Sequence, residues 1–209
     1  DVGLNMSVIT SRNFNRLADD VTTDNYIQLF NGSGHLPGKA ISGIYSYIFK
    51  GLNGQTGMPE FDKMDLPEKT KNPDEFLVYS GQLQPKATFS LAPVFRYKSF
   101  SLQTSLYLSL GSVKRLNPFF GRTGTNNGVP GPFANANRDV QLRWRKPGDE
   151  LHTVIPVLRD RVPSSEYITV PYTSNTRVGT GNVLDIQVNP FDAFNRSDLM
   201  IVKNNYLRC

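Results

Sequence analysis

No run of this 209-residue chain approaches the roughly 18 consecutive apolar residues that a membrane-spanning helix needs, which excludes a helical membrane protein. It does not exclude a β-barrel, in which half of every strand is polar and hydropathy averages out. Cysteine is nearly absent: Cys209 stands alone, so neither an intrachain disulfide nor a cysteine metal site can form. Histidine is scarce too. His35 and His152 are far apart and in no ligand spacing, so a loop-surface role is expected for both and no metal or other cofactor is implied. The net charge of +5 is mild, and the Lys and Arg residues are scattered rather than gathered into a basic stripe with aromatics. A solvated surface is the expected reading, and no nucleic-acid partner is. No charged region followed by an apolar stretch opens the chain, so no signal peptide is expected within it.

What is present is alternation. From Ala87 to Gly111 the sequence reads ATFSLAPVFRYKSFSLQTSLYLSLG. In the second arm Phe100, Leu102, Leu106, Leu108 and Leu110 share a face with Thr104, while Ser101, Gln103, Ser105, Tyr107 and Ser109 share the other. The first arm puts Phe89, Leu91, Pro93, Phe95 and Tyr97 on one side and Thr88, Ser90 and Arg96 on the other. A period of 2 held over about 10 residues per arm, with a short turn at Tyr97-Lys98-Ser99, predicts a long hairpin between two unlike environments. Such arms match the strands of a transmembrane β-barrel. Val2, Leu4, Met6 and Val8 alternate likewise, and Leu199 to Arg208 reads as extended.

Strands are therefore expected at about 1–10, 86–97, 100–110 and 198–209. The connections at about 11–83 and 112–195 exceed the usual loop length, but one side of an outer-membrane barrel carries such loops. Within them, Ile41–Phe49, Val154–Leu158 and Tyr167–Val170 are predicted as strands. A helix is predicted over Asn137–Arg145, with Asp139 near its start, Leu142 and Trp144 as anchors and Pro147 ending it. Four strands cannot close a barrel, so the chain is expected to be part of a larger one.

Catalytic signals are weak. The acidic residues Glu60, Asp62, Asp65, Glu68, Asp74 and Glu75 lack the central glycine of an EF-hand, and a solvated loop is favoured over a calcium site. The Gly121–Gly131 tract has no following Lys-Ser/Thr, so no phosphate loop is expected. No nucleophile elbow or Ser-His-Asp set stands out, and no enzyme is expected.

Five blocks together resemble SusC-like TonB-dependent outer-membrane transporters. Pro37-Gly38-Lys39-Ala40-Ile41-Ser42-Gly43-Ile44-Tyr45-Ser46-Tyr47, with Phe49-Lys50-Gly51-Leu52-Asn53 and Thr56-Gly57-Met58-Pro59, is similar to a Y-S-Y-x-F-x-G-L-[DN]-x-x-T-G-x-P motif, with Ala40 where proline is common. Tyr79-Ser80-Gly81 through Pro85-Lys86 resembles a Y-x-G-x-x-x-P-K strand entry, and Phe95-Arg96-Tyr97-Lys98-Ser99-Phe100 a periplasmic turn. Arg143-Trp144-Arg145-Lys146-Pro147-Gly148-Asp149 matches R-W-x-x-P-G-D. Ser197-Asp198 and Tyr206-Leu207-Arg208 are similar to a late strand.

The resemblance implies the C-terminal part of an antiparallel barrel of about 22 strands around a plug, in a Gram-negative outer membrane. It implies TonB-powered import of oligosaccharides, peptides or similar nutrients with a SusD-like lid lipoprotein, TonB being reached through an N-terminal part of the protein. On this reading Phe89, Leu91, Phe95, Leu102, Leu106 and Leu108 face outer-membrane lipid. Ser101, Gln103, Ser105 and Tyr107 face the lumen or plug. Tyr97 and Phe100 join the periplasmic aromatic girdle beside Lys98. Phe119, Phe120, Trp144, Tyr167 and Tyr172 are candidates to touch ligand or lid, although packing of the loops on each other is favoured for such large rings. The alternative is a soluble all-β carbohydrate-binding module whose alternating faces form a half-buried sheet.

Overall fold

The computed structural model describes residues 2–12, 26–66, 68–119, 137–159, 161–172 and 186–209. The fold is all-β and antiparallel, with a single six-residue α-helix among the described residues. In chain order the strands are β1 (Val2–Arg12), β2 (Gly43–Tyr47), β3 (Phe49–Leu52), β4 (Pro59–Phe61), β5 (Leu77–Gln82), β6 (Ala87–Tyr97) and β7 (Phe100–Gln103). They continue with β8 (Leu106–Leu110), β9 (Val113–Arg115), β10 (Ile168–Val170), β11 (Ile186–Val188), β12 (Ile201–Lys203) and β13 (Tyr206–Arg208). Helix α1 (Pro190–Asn195) lies between β11 and β12.

The long strands form one sheet, the wall, in the order β1-β6-β8-β13, with β7 also paired to β6. Strands β7 and β8 are a single arm. Val94 opposes Gln103 and Leu91 opposes Leu106, so the register is unchanged across the interruption at Thr104–Ser105. That interruption faces Pro93, which has no N–H to donate. The Thr104 N–H still donates to the Pro93 carbonyl at 3.2 Å, which leaves half of a normal pair. The turn is two residues long, because Tyr97 pairs with Phe100. Lys98 takes the positive φ of 52° that such a turn demands at its first position.

All long connections leave from the opposite end. The chain departs the wall after Arg12 and returns at Ala87, its direct partner; it departs again after Leu110 and returns at Tyr206. Both connections fold together into a cap. Its core draws Tyr26, Leu29, Tyr47 and Phe76 from the first and Val170, Phe191, Phe194 and Met200 from the second. Short ladders β2–β5, β3–β4, β10–β11 and β9–β12 frame it. Several bonds join the connections: the Tyr47 N–H donates to the Arg196 carbonyl at 3.1 Å, the Phe49 N–H to Asp198 Oδ1 at 3.1 Å and the Thr70 N–H to the Pro171 carbonyl at 2.8 Å. Helix α1 is short but well started. Asn189 accepts the Phe191 N–H at 2.9 Å and Pro190 fills the first turn, where its missing N–H costs nothing.

A bulge joins wall to cap. Between the pairs Ser109–Tyr206 and Val113–Lys203, one arm carries three residues and the other two. Gly111 occupies the extra position at φ 80°, and a Cβ there would lie 2.9 Å from the Lys86 Cβ.

Two sequence expectations inside the cap need correction. The helix over Asn137–Arg145 is a 3-10 turn over Arg138–Leu142, started by the Asn137 side chain accepting from the Asp139 N–H. It stops because Asp149 Oδ2 accepts the N–H groups of both Arg145 and Lys146 and draws the chain into a turn. Trp144 is buried as expected of an anchor, but Leu142 is left in solvent. Val154–Leu158 is not a strand, while Ile168–Val170 is. The Gly121–Gly131 tract lies outside the described residues.

Candidate functional site

Residues directly opposed across antiparallel strands share a face, so register decides what each side of the wall presents. Leu4 opposes Phe95, Met6 opposes Pro93, and Val8 opposes Leu91. Phe95 in turn opposes Leu102, Leu91 opposes Leu106, Phe89 opposes Leu108, and Leu108 opposes Leu207. The residues Phe89, Leu91, Phe95, Leu102, Leu106 and Leu108 thus lie on one apolar face, which runs from β1 to β13. Leu4, Met6, Val8, Phe89, Phe95, Leu102 and Leu207 are exposed on it, and no second layer covers them among the described residues.

The opposite face carries Asn5, Ser7, Thr88, Ser90, Ser101, Gln103, Ser105 and Tyr107. Ile9, Ala92 and Val94 are its apolar exceptions. Ser101, Gln103 and Ser105 are open to solvent, and Tyr107 is half-buried against Tyr206, with ring centroids 5.9 Å apart. At the tight turn, Tyr97 and Phe100 sit at the edge of the apolar face, with Lys98 Nζ 5.3 Å from the centre of the Tyr97 ring.

Arg115, at the end of β9, is the main polar tie within the cap. Its Nε donates to the Phe30 carbonyl at 3.3 Å, and one terminal nitrogen to the Ser197 and Asn195 carbonyls at 3.1 and 3.5 Å. The other terminal nitrogen donates to the Tyr45 carbonyl at 2.9 Å and to Ser46 Oγ at 3.0 Å. Every acceptor is neutral. Burial, with Arg196 nearby, pushes the guanidinium pKa down to about 10, which still leaves it charged at neutral pH. Sequence inspection passes over Arg115, since its partners are mostly backbone carbonyls that no motif encodes.

The segment Trp144–Glu150 forms a second knot. The Trp144 N–H donates to the Ile155 carbonyl at 2.9 Å and its indole N–H to Glu150 Oε2 at 3.1 Å. Glu150 also accepts the Gly148 N–H at 2.8 Å. Hydrogen bonds from its own backbone, then from the Trp144 indole, hold its carboxyl below the usual value. Gly57 (φ 67°) lies flat on the indole: a Cβ there would stand 2.3 Å from the ring. Thr56-Gly57 and Arg143-Trp144, far apart in sequence, are therefore packed together.

The candidate ligand or lid aromatics are mostly inside the cap. Trp144 and Tyr172 are buried, and Tyr172 stacks near Tyr26 with ring centroids 5.0 Å apart. Phe119 and Tyr167 pack partly buried against the core. Phe120 lies outside the described residues. Among the described residues no three of His, Cys, Asp and Glu gather closely enough to hold a metal ion, and no helix is long and apolar enough to cross a membrane. Comparison with known proteins finds no family model and no curated protein that matches this chain.

Proposed function

We propose that this chain supplies a stretch of wall and the outward cap of a SusC-type, TonB-dependent nutrient importer in the outer membrane of a Gram-negative bacterium. One observation carries the reading: register gathers the apolar residues of four wall strands onto one face, uncovered among the described residues, and leaves the other face mostly polar apart from Ile9, Ala92 and Val94. Leaving that many large apolar side chains in water is unfavourable by about 25 cal/mol per Å², whereas lipid accepts them at no such cost. The dimensions agree. An 11-residue strand such as Ala87–Tyr97 spans about 36 Å at about 3.3 Å per residue, which a 45° tilt turns into a band of about 25 Å, the apolar height of an outer-membrane barrel.

The two ends differ as well. A two-residue turn at one end and a large cap at the other is the asymmetry of such barrels, with the turn in the periplasm and the cap outside. The outer edges of β1 and β13 have no partner among the described residues. In lipid each unpaired backbone group costs several kcal/mol, so further strands of the same barrel would pair there. The plug and the TonB-contacting segment would come from the rest of that protein. The substrate would be an oligosaccharide, peptide or similar nutrient, captured under a SusD-like lid lipoprotein.

The test is cysteine scanning of the full protein with Cys209 replaced by serine. Fluorophores at 102, 106 and 207 should be quenched by lipid-borne nitroxides, and those at 101, 103 and 105 should not. An unquenched series, with 102 and 106 shielded by a second protein layer, would overturn the membrane reading in favour of a soluble carbohydrate-binding module.

A further inference from the structure

Leu142, Leu151 and Val154 are 68%, 80% and 51% exposed, the three most exposed large apolar residues described in the cap. All three line one open groove of about 970 Å³, together with Arg145 and Lys146. Between the lining residues Arg143 and Arg145, the buried Trp144 is bonded to Ile155 and Glu150 and packed against Gly57. Cations outnumber carboxylates around the groove: Arg143, Arg145 and Lys146 line it against Asp149 and Glu150. The two carboxylates accept N–H groups of Arg145, Lys146, Trp144 and Gly148, and Arg145 also donates to the Gln141 carbonyl at 2.8 Å, while the Arg145 and Lys146 side chains stay exposed. Exposed apolar side chains flanked by charged ones mark protein interfaces.

We propose that this groove docks an acidic segment of a partner protein, with an apolar side chain seated on Leu142, Leu151 and Val154 and carboxylates set against Arg145 and Lys146. A small free anion would leave the apolar side chains unused, and three cations beside two carboxylates are too few to bind a phosphate backbone. An acidic peptide segment uses both features. The inference rests on the groove alone and stands whether or not the wall lies in a membrane.

A photo-crosslinking residue in place of Leu151, in the full protein in its own cells, tests this. The expected adduct is one partner protein, joined through a segment that carries Asp or Glu beside an apolar residue. Replacing Arg145→Glu together with Lys146→Glu should cut the yield about fivefold or more by reversing the steering field. Limited proteolysis checks that the cap stays folded. Should that double variant loosen the cap, the unsubstituted groove is tested by salt: raising it from about 0.05 to about 0.5 M should cut the yield severalfold. An adduct to lipid, to a second copy of this chain or to a neutral segment would overturn the proposal. So would a yield indifferent to charge and salt, or no adduct from an intact cap.

Discussion

Among the described residues, the wall has long strands and no core, while the cap has a core and only short strands. Along the wall, four strands hold one another by backbone ladders while their apolar side chains stand uncovered. Inside the cap, rings meet rings: Phe194 lies 5.8 Å from Phe49, and Tyr26 lies 5.9 Å from both Phe30 and Phe76. The wall depends on its surroundings for the burial it lacks, and the cap supplies its own. Long connections are thus not bound to be slack; the described residues of these two form a folded body around an apolar core.

The sharpest way to break that contrast is to empty the cap core. Phe194→Ala should cost about 3–5 kcal/mol in a urea titration followed by cap proteolysis. Leu102→Ala on the wall should leave that transition unmoved, because distant sites act independently. Arg115→Ala should cost about 3 kcal/mol, since the carbonyls of Phe30, Tyr45 and Ser197 lose their donor inside the cap. Arg115→Lys should recover only part of this, because three donors replace five. Hydrogen exchange of β9 and β12 would read both.

Gly57→Ala should cost about 1–3 kcal/mol by forcing a methyl into the Trp144 ring at a left-handed backbone. It should move the emission of Trp144, the only tryptophan of this chain, to the red. On the wall alone, Lys98→Gly should gain roughly 0.5 kcal/mol at the positive-φ turn, visible as slower unfolding from detergent with no change in the cap. The smallest effect is a pH dependence. The Glu150 carboxyl is held low in the folded cap, so its contribution is complete above the ordinary glutamate value. It should fade as pH falls through the lower folded value, read by Trp144 emission and absent from Glu150→Gln.

The wall was legible in the sequence because a strand writes its burial in consecutive residues. Phe100 to Leu110 states both faces. The cap was not legible. Tyr26, Tyr47, Phe76, Phe191 and Phe194 meet from distant segments with no shared period. Leu142 is expected as a helix anchor with Trp144, but Asp149 Oδ2 accepts the N–H groups of Arg145 and Lys146 and ends the turn first. Gly57 and Trp144 each sat in a recognised motif, yet only the fold reveals that one glycine exists to make room for the other motif's ring.

The neutrality of the acceptors around Arg115 has an environmental consequence. A fastening made of carbonyls and one hydroxyl offers no carboxylate for magnesium or calcium to capture, and its buried partners are little screened by dissolved salt. The Arg115 fastening would hold alike from dilute fresh water to brine.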